Sequence, residues 1–179
     1  MKNLVLTLLF TLFFLKNQAQ TSGNVSVSLT FSSVARISIA SSGSSTLTLG
    51  SPSTAGSSIT TTVSDETKWL NFTSAVANGV SRRIEASVSA GTVPSGLQLR
   101  VGLNAAVGGG GTLGTLVATV ASPVTLGTAA TVLNNITGAY TGVGVGNGFK
   151  LTYTVNVSNY GLLRSGTNVV QITYTLIDN

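Results

Sequence analysis

Apolar and polar residues alternate with a period of two along much of the chain. Val25, Val27, Leu29 and Phe31 are separated by Ser26, Ser28 and Thr30. Phe149, Leu151, Tyr153, Val155 and Val157 stand against Lys150, Thr152, Thr154, Asn156 and Ser158. Val170, Ile172, Tyr174 and Leu176 repeat the pattern against Gln171, Thr173 and Thr175. Successive side chains of a strand point to opposite faces, so this period predicts strands with one buried face. Val, Ile and Thr reinforce it, because their stiff side chains fit a pleated surface. Shorter strands are expected at residues 35–40, 46–49, 58–63, 68–74, 83–90, 97–103, 113–121 and 131–137. No segment has convincing helical spacing.

Turn chemistry separates these segments. Asn78-Gly79 and Asn147-Gly148 read as hairpin turns, which need positive φ at their central residues. Pro52, Pro94 and Pro123 fall in connections, where a missing N–H costs no ladder hydrogen bond. The four glycines of residues 108–111 read as a loop tip. Residues 142–148, Gly-Val-Gly-Val-Gly-Asn-Gly, are no phosphate loop, because a strand rather than a helix follows them; they too read as a hairpin. Many short strands with frequent turns predict an all-β, two-sheet β-sandwich, since stacked sheets each bury one face.

The N-terminus changes what counts as the protein. Lys2 precedes a run from Leu4 to Leu15 broken only by Thr7 and Thr11, and Asn17, Gln18, Ala19 and Gln20 follow. That layout reads as a secretory signal peptide over residues 1–20, with an apolar run too short for an ordinary membrane span. A membrane anchor is the disfavoured alternative. No Cys follows the run, so the lipoprotein route is closed. Residues 21–179 are then expected to form a single β-sandwich domain, secreted or held at the cell surface, with no membrane span after cleavage.

The whole chain carries a formal net charge of +5, but Lys2 and Lys16 leave with the signal, and seven basic residues then face four acidic ones. Only Arg82 and Arg83 are adjacent, so a nucleic-acid partner is not expected. Charged residues are 7% of the chain, against about a quarter in ordinary domains. Ser, Thr, Asn and Gly must coat the surface, which loses the repulsion that keeps domains apart. Self-association or packing beside other surface proteins is the consequence. Without Cys, stability must come from the core alone.

Chemistry is nearly absent. With no His and no Cys, Ser-His and Cys-His catalysis and His-ligated metal sites are excluded. Asp65 and Glu66 are neighbours in sequence, and Glu85 lies two residues from Arg83, the spacing of an ion pair on one strand face. No catalytic residue, no metal ligand and no cofactor is expected. Trp69 is the sole tryptophan. Lone aromatics are more often core, which favours Trp69 facing inward. In the other register Leu70 and Phe72 face inward, and Trp69 with Asn71 forms a candidate glycan contact.

The closing stretch Tyr160, Gly161, Leu162, Leu163, Arg164, Ser165, Gly166 and Thr167, leading into the alternation that ends at Leu176, is similar to the close of secreted pilin-like and spore-coat-like bacterial β-sandwich domains. Asn168 stands where that pattern has an aromatic, and the Cys pair of many such subunits is missing. The resemblance implies an immunoglobulin-like Greek-key sandwich and an extracellular, fimbrial role; it carries no binding residue across. The resulting expectation is an exported, non-enzymatic structural or adhesive module. If it self-associates by strand addition, residues 25–31 are the natural donor. A stand-alone carbohydrate-binding domain using Trp69 and Asn71 is the alternative.

Overall fold

The computed structural model describes residues 22–41, 44–59 and 63–179. The segment read as a signal peptide, residues 1–20, lies outside them. Two compact units divide the chain, Met1–Phe31 and Ser32–Asn179.

In the first unit, residues 22–31 form no strand, although their alternation predicts one. Val25, Val27, Leu29 and Phe31 are 87, 74, 93 and 83% exposed. A strand exists only when another strand takes its backbone hydrogen bonds, and none of the described strands pairs with this segment. Its side-chain pattern is that of a strand, but the described residues give it no strand pairing.

The second unit is all-β. Its strands are β1 (Val34–Ala40), β2 (Val63–Ala75), β3 (Arg82–Ala90), β4 (Leu97–Leu103), β5 (Gly110–Gly111), β6 (Thr115–Leu116), β7 (Val124–Thr125), β8 (Ala130–Ile136), β9 (Ala139–Tyr140), β10 (Phe149–Val157) and β11 (Gln171–Asp178). A short 3₁₀ turn covers Tyr160–Leu162. No helix among the described residues is long and apolar enough to cross a membrane.

Two antiparallel sheets result. The larger has seven strands in the order β5-β9-β2-β10-β4-β7, with β1 also on β2; the smaller has the order β11-β3-β8-β6. Register aligns the apolar faces. Phe149 lies opposite Leu70, and Leu151 opposite Leu103; Ile84 lies opposite both Leu176 and Leu133. Leu70, Val101, Leu103 and Leu151 of the larger sheet and Ile84, Leu133 and Ile136 of the smaller are almost wholly buried. Phe72 and Phe149 stack with ring centroids 6.1 Å apart and an interplanar angle of 11°. Their common face is the core, as alternation requires.

Several sequence expectations change. Residues 46–49 form no strand, and neither do residues 58 and 59; residues 60–62 lie outside the described set. Within 113–121 only Thr115–Leu116 is a strand, and Gly114, at φ 98°, turns the backbone out of extended geometry just before it. The glycine run 108–111 is more than a loop tip: Gly110 and Gly111 pair with Tyr140 and Ala139. A Cβ on Gly111 would lie 2.0 Å from the Gly138 carbonyl oxygen, so only glycine permits that approach.

Neither Asn-Gly pair closes a hairpin. Asn78-Gly79 joins β2 of the larger sheet to β3 of the smaller, carrying the chain across the core. β1 occupies one edge of β2 from Trp69 to Ala75. β9 and β10 therefore share the other edge, at Thr73 and Ser74 and from Leu70 onward. Residues 142–148 are a loop thrown out between two stretches that both pair with β2.

Candidate functional site

Alternation along β2 sends Leu70, Phe72 and Ser74 inward and Trp69, Asn71 and Thr73 outward. The lone tryptophan is thus on the outer face, against the expectation from its type. It is half-buried, with Ala40 of β1 and Lys150 of β10 as cross-strand neighbours. The Lys150 ammonium lies 2.5 Å from Glu66 Oε2.

Asn71 is on the same face yet only 5% exposed, because the 142–148 loop folds over it. Its Oδ1 accepts from the Gly144 N–H at 3.1 Å, and its Nδ2 donates to the Asn147 carbonyl at 2.7 Å. Asn147 Nδ2 in turn donates to the Val143 carbonyl at 2.9 Å. Gly148 and Val107 exchange two backbone hydrogen bonds at 2.8 Å. The loop is therefore pinned, while Val143 at its turn is 90% exposed. Between this loop and β1 runs an open groove of about 290 Å³ lined by Arg36, Ser38, Asn71, Thr73, Gly142 and Val143. Both polar atoms of the Asn71 amide are engaged by the loop, so a ligand on this face would meet Trp69 and the groove residues first. Sequence reading missed the groove, because β1 and the loop are brought together only through their shared pairing with β2.

Each of the four side-chain carboxylates has a partner of its own. Arg83 Nε and Glu85 Oε1 form the ion pair their spacing predicts, at 2.7 Å. Asp65 and Glu66 turn to different partners: Glu66 to Lys150, and Asp65 to the Thr67 N–H and hydroxyl, both at 2.7 Å. Burial pushes the Asp65 carboxyl up, but hydrogen bonds from Ser45 and Thr67 and the charge of Lys68 outweigh it and hold the pKa below the usual value. Among the described residues, no three of His, Cys, Asp and Glu gather where they could share a metal ion.

Two polar links cross the core. Tyr153 of β10 and Tyr174 of β11 bring their buried hydroxyls within 2.8 Å. Burial pushes the Tyr153 hydroxyl up to about 12, and Tyr174 is raised further for the same reason. Arg82 of β3 reaches the larger sheet, donating to the Val34 carbonyl, to Ser33 Oγ at 2.9 Å and to Ser74 Oγ at 3.3 Å. Its Nε lies 2.7 Å from Asp178 Oδ1. This guanidinium thus fixes the first residues of β1.

β1 pairs only with β2 and β11 only with β3 among the described strands. The two strands come close to each other without pairing. No family model matches the chain, and neither a curated protein nor a solved structure matches it.

Proposed function

We propose that this chain is an exported, non-enzymatic structural or adhesive module of the cell surface, a fimbrial or matrix subunit, which self-associates by strand addition. The carrying observation is the 25–31 segment: four large apolar side chains at strand spacing, 74 to 93% exposed, with no strand pairing among the described residues. Burying one such side chain is worth roughly 1.5–3 kcal/mol, so seating four in a second copy supplies a large driving force. The backbone of the segment would gain its ladder at the same time. Among the described strands β1 and β11 each pair on one side only, and β11 carries Thr173 and Thr175 rather than the Lys or Pro that commonly block an edge. An immunoglobulin-like Greek-key arrangement fits the crossings from β2 to β3 and from β10 to β11, each of which passes from the larger sheet to the smaller.

Export rests on the N-terminal apolar run, and a charge-poor surface suits a protein packed beside its copies. Glycan binding is the second reading, favoured by the outward Trp69 beside the groove; binding that survived Trp69→Ala would remove its aromatic contact. Cell fractionation with electron microscopy tests the main reading. The expected result is a chain lacking its first 20 residues, outside the cell, in multimers. An uncleaved chain confined to the cytosol would overturn it.

A further inference from the structure

The chain contains two Asn-Gly pairs, which the fold places in opposite circumstances. Asn78 and Gly79 are exposed in the crossover from β2 to β3. Neither the Asn78 amide nor the Gly79 N–H makes a hydrogen bond with the described residues; the only backbone bond across the turn runs from the Val80 N–H to the Ala77 carbonyl. Gly79 has φ 80°, and a Cβ added there would meet nothing within 4 Å beyond its chain neighbours. At Asn147-Gly148 the amide is bonded to Val143, and the Gly148 N–H donates to the Val107 carbonyl at 2.8 Å. A Cβ on Gly148 would lie 2.3 Å from the Leu70 carbonyl oxygen, which measures how tightly that backbone is held.

We infer that Asn78 is a site of spontaneous deamidation in the folded protein, and that Asn147 is protected from it. In the reaction the Gly79 nitrogen loses its proton and attacks Asn78 Cγ. A C–N bond forms, the bond from Cγ to Nδ2 breaks, and ammonia leaves with the transferred proton. Water then opens the resulting cyclic imide to aspartate or isoaspartate. The step needs a nitrogen free to lose its proton and a backbone free to rotate toward the side chain. Gly79 has both, because a residue without a side chain crosses φ space readily. Gly148 has neither. The product places a carboxylate at the crossover between the sheets, and the isoaspartate form also lengthens the backbone there by one methylene.

Incubation of the folded protein at mildly alkaline pH, followed by digestion and mass spectrometry with chromatographic separation of the aspartyl isomers, tests this. Conversion is expected to accumulate at position 78 while position 147 stays an amide. In denaturant both positions should convert, which shows that both sequences are competent and that the fold protects one. The Asn78→Gln variant should lose the folded-state signal. Conversion at 147 as fast as at 78 in the folded protein would overturn the inference. So would an unchanged Asn78 over a period in which the denatured control converts.

Discussion

The hydroxyl oxygens of Tyr153 and Tyr174 lie 2.8 Å apart in the core, one contributed by each sheet. Each satisfies the other, so the two sheets share a polar contact that neither strand could complete alone. A buried hydroxyl stripped of its partner costs about 1–3 kcal/mol, whereas removing both partners together is nearly neutral. Tyr153→Phe or Tyr174→Phe should therefore each destabilise the fold by roughly 1–2 kcal/mol. The double variant should cost less than their sum. Urea denaturation of the four proteins in a double-mutant cycle measures the coupling.

The same pair sets an alkaline limit. Both pKa values are raised in the fold, so the stability these groups confer is complete below their unfolded value of 10.0 and falls as pH rises toward the folded value of about 12 for Tyr153. Above pH 10 the unfolded chain loses protons that the folded chain retains, at about 1.4 kcal/mol per pH unit for each tyrosine. Melting temperature should hold until that point and drop beyond it, and it should drop less in the double Phe variant. Asp65 has the opposite sign: its lowered pKa gives stability above 3.8 that is lost as pH falls further.

Arg82 and Asp178 are an unequal pair, the first side chain 7% exposed and the second 65%. Asp178 is well solvated, and Arg82 keeps its other acceptors when Asp178 is lost, so Asp178→Asn should cost less than loss of the guanidinium. Arg82 also satisfies Ser33, Val34 and Ser74, so Arg82→Ala should cost about 3 kcal/mol or more by leaving acceptors at the start of β1 unpaired. Denaturation midpoints of Arg82→Ala and Asp178→Asn should separate accordingly. Faster amide exchange in β1 of the Arg82 variant alone would locate the effect.

Asn71 holds the 142–148 loop with both of its polar atoms. Asn71→Ala should destabilise by about 1–3 kcal/mol through the unmade hydrogen bonds. The Gly144 amide should then exchange at least about tenfold faster, while amides of β8 in the other sheet stay unchanged. Hydrogen exchange followed by mass spectrometry reads both regions in one experiment.

Local alternation carried most of the fold. Phe149–Val157 and Leu97–Leu103 were legible because their apolar residues alternate with polar residues or glycine, so period two is present in the sequence. What local reading missed was non-local. Asn78-Gly79 has the chemistry of a hairpin turn, but which sheet receives the following strand depends on pairing of β3 with β8 and β11 far along the chain. The 142–148 loop has the same history: β2 offers one edge to the stretches on both sides, and glycine content does not reveal that. Asn71 reads as a surface polar residue from its place on the outer face, and only the loop above it makes it buried. Residues 25–31 show the converse, a strand pattern with no strand pairing among the described residues.

Strand addition stands or falls on the backbone of residues 25–31. Amide hydrogen exchange across this segment, measured on the exported protein from dilute to concentrated solution, tests it most directly. Fast exchange is expected in the isolated chain, with protection that grows as assemblies form, and loss of both assembly and protection in Leu29→Glu. Assemblies whose 25–31 amides exchange as fast as in the isolated chain would contradict it, as would a protein that stays monomeric at every concentration.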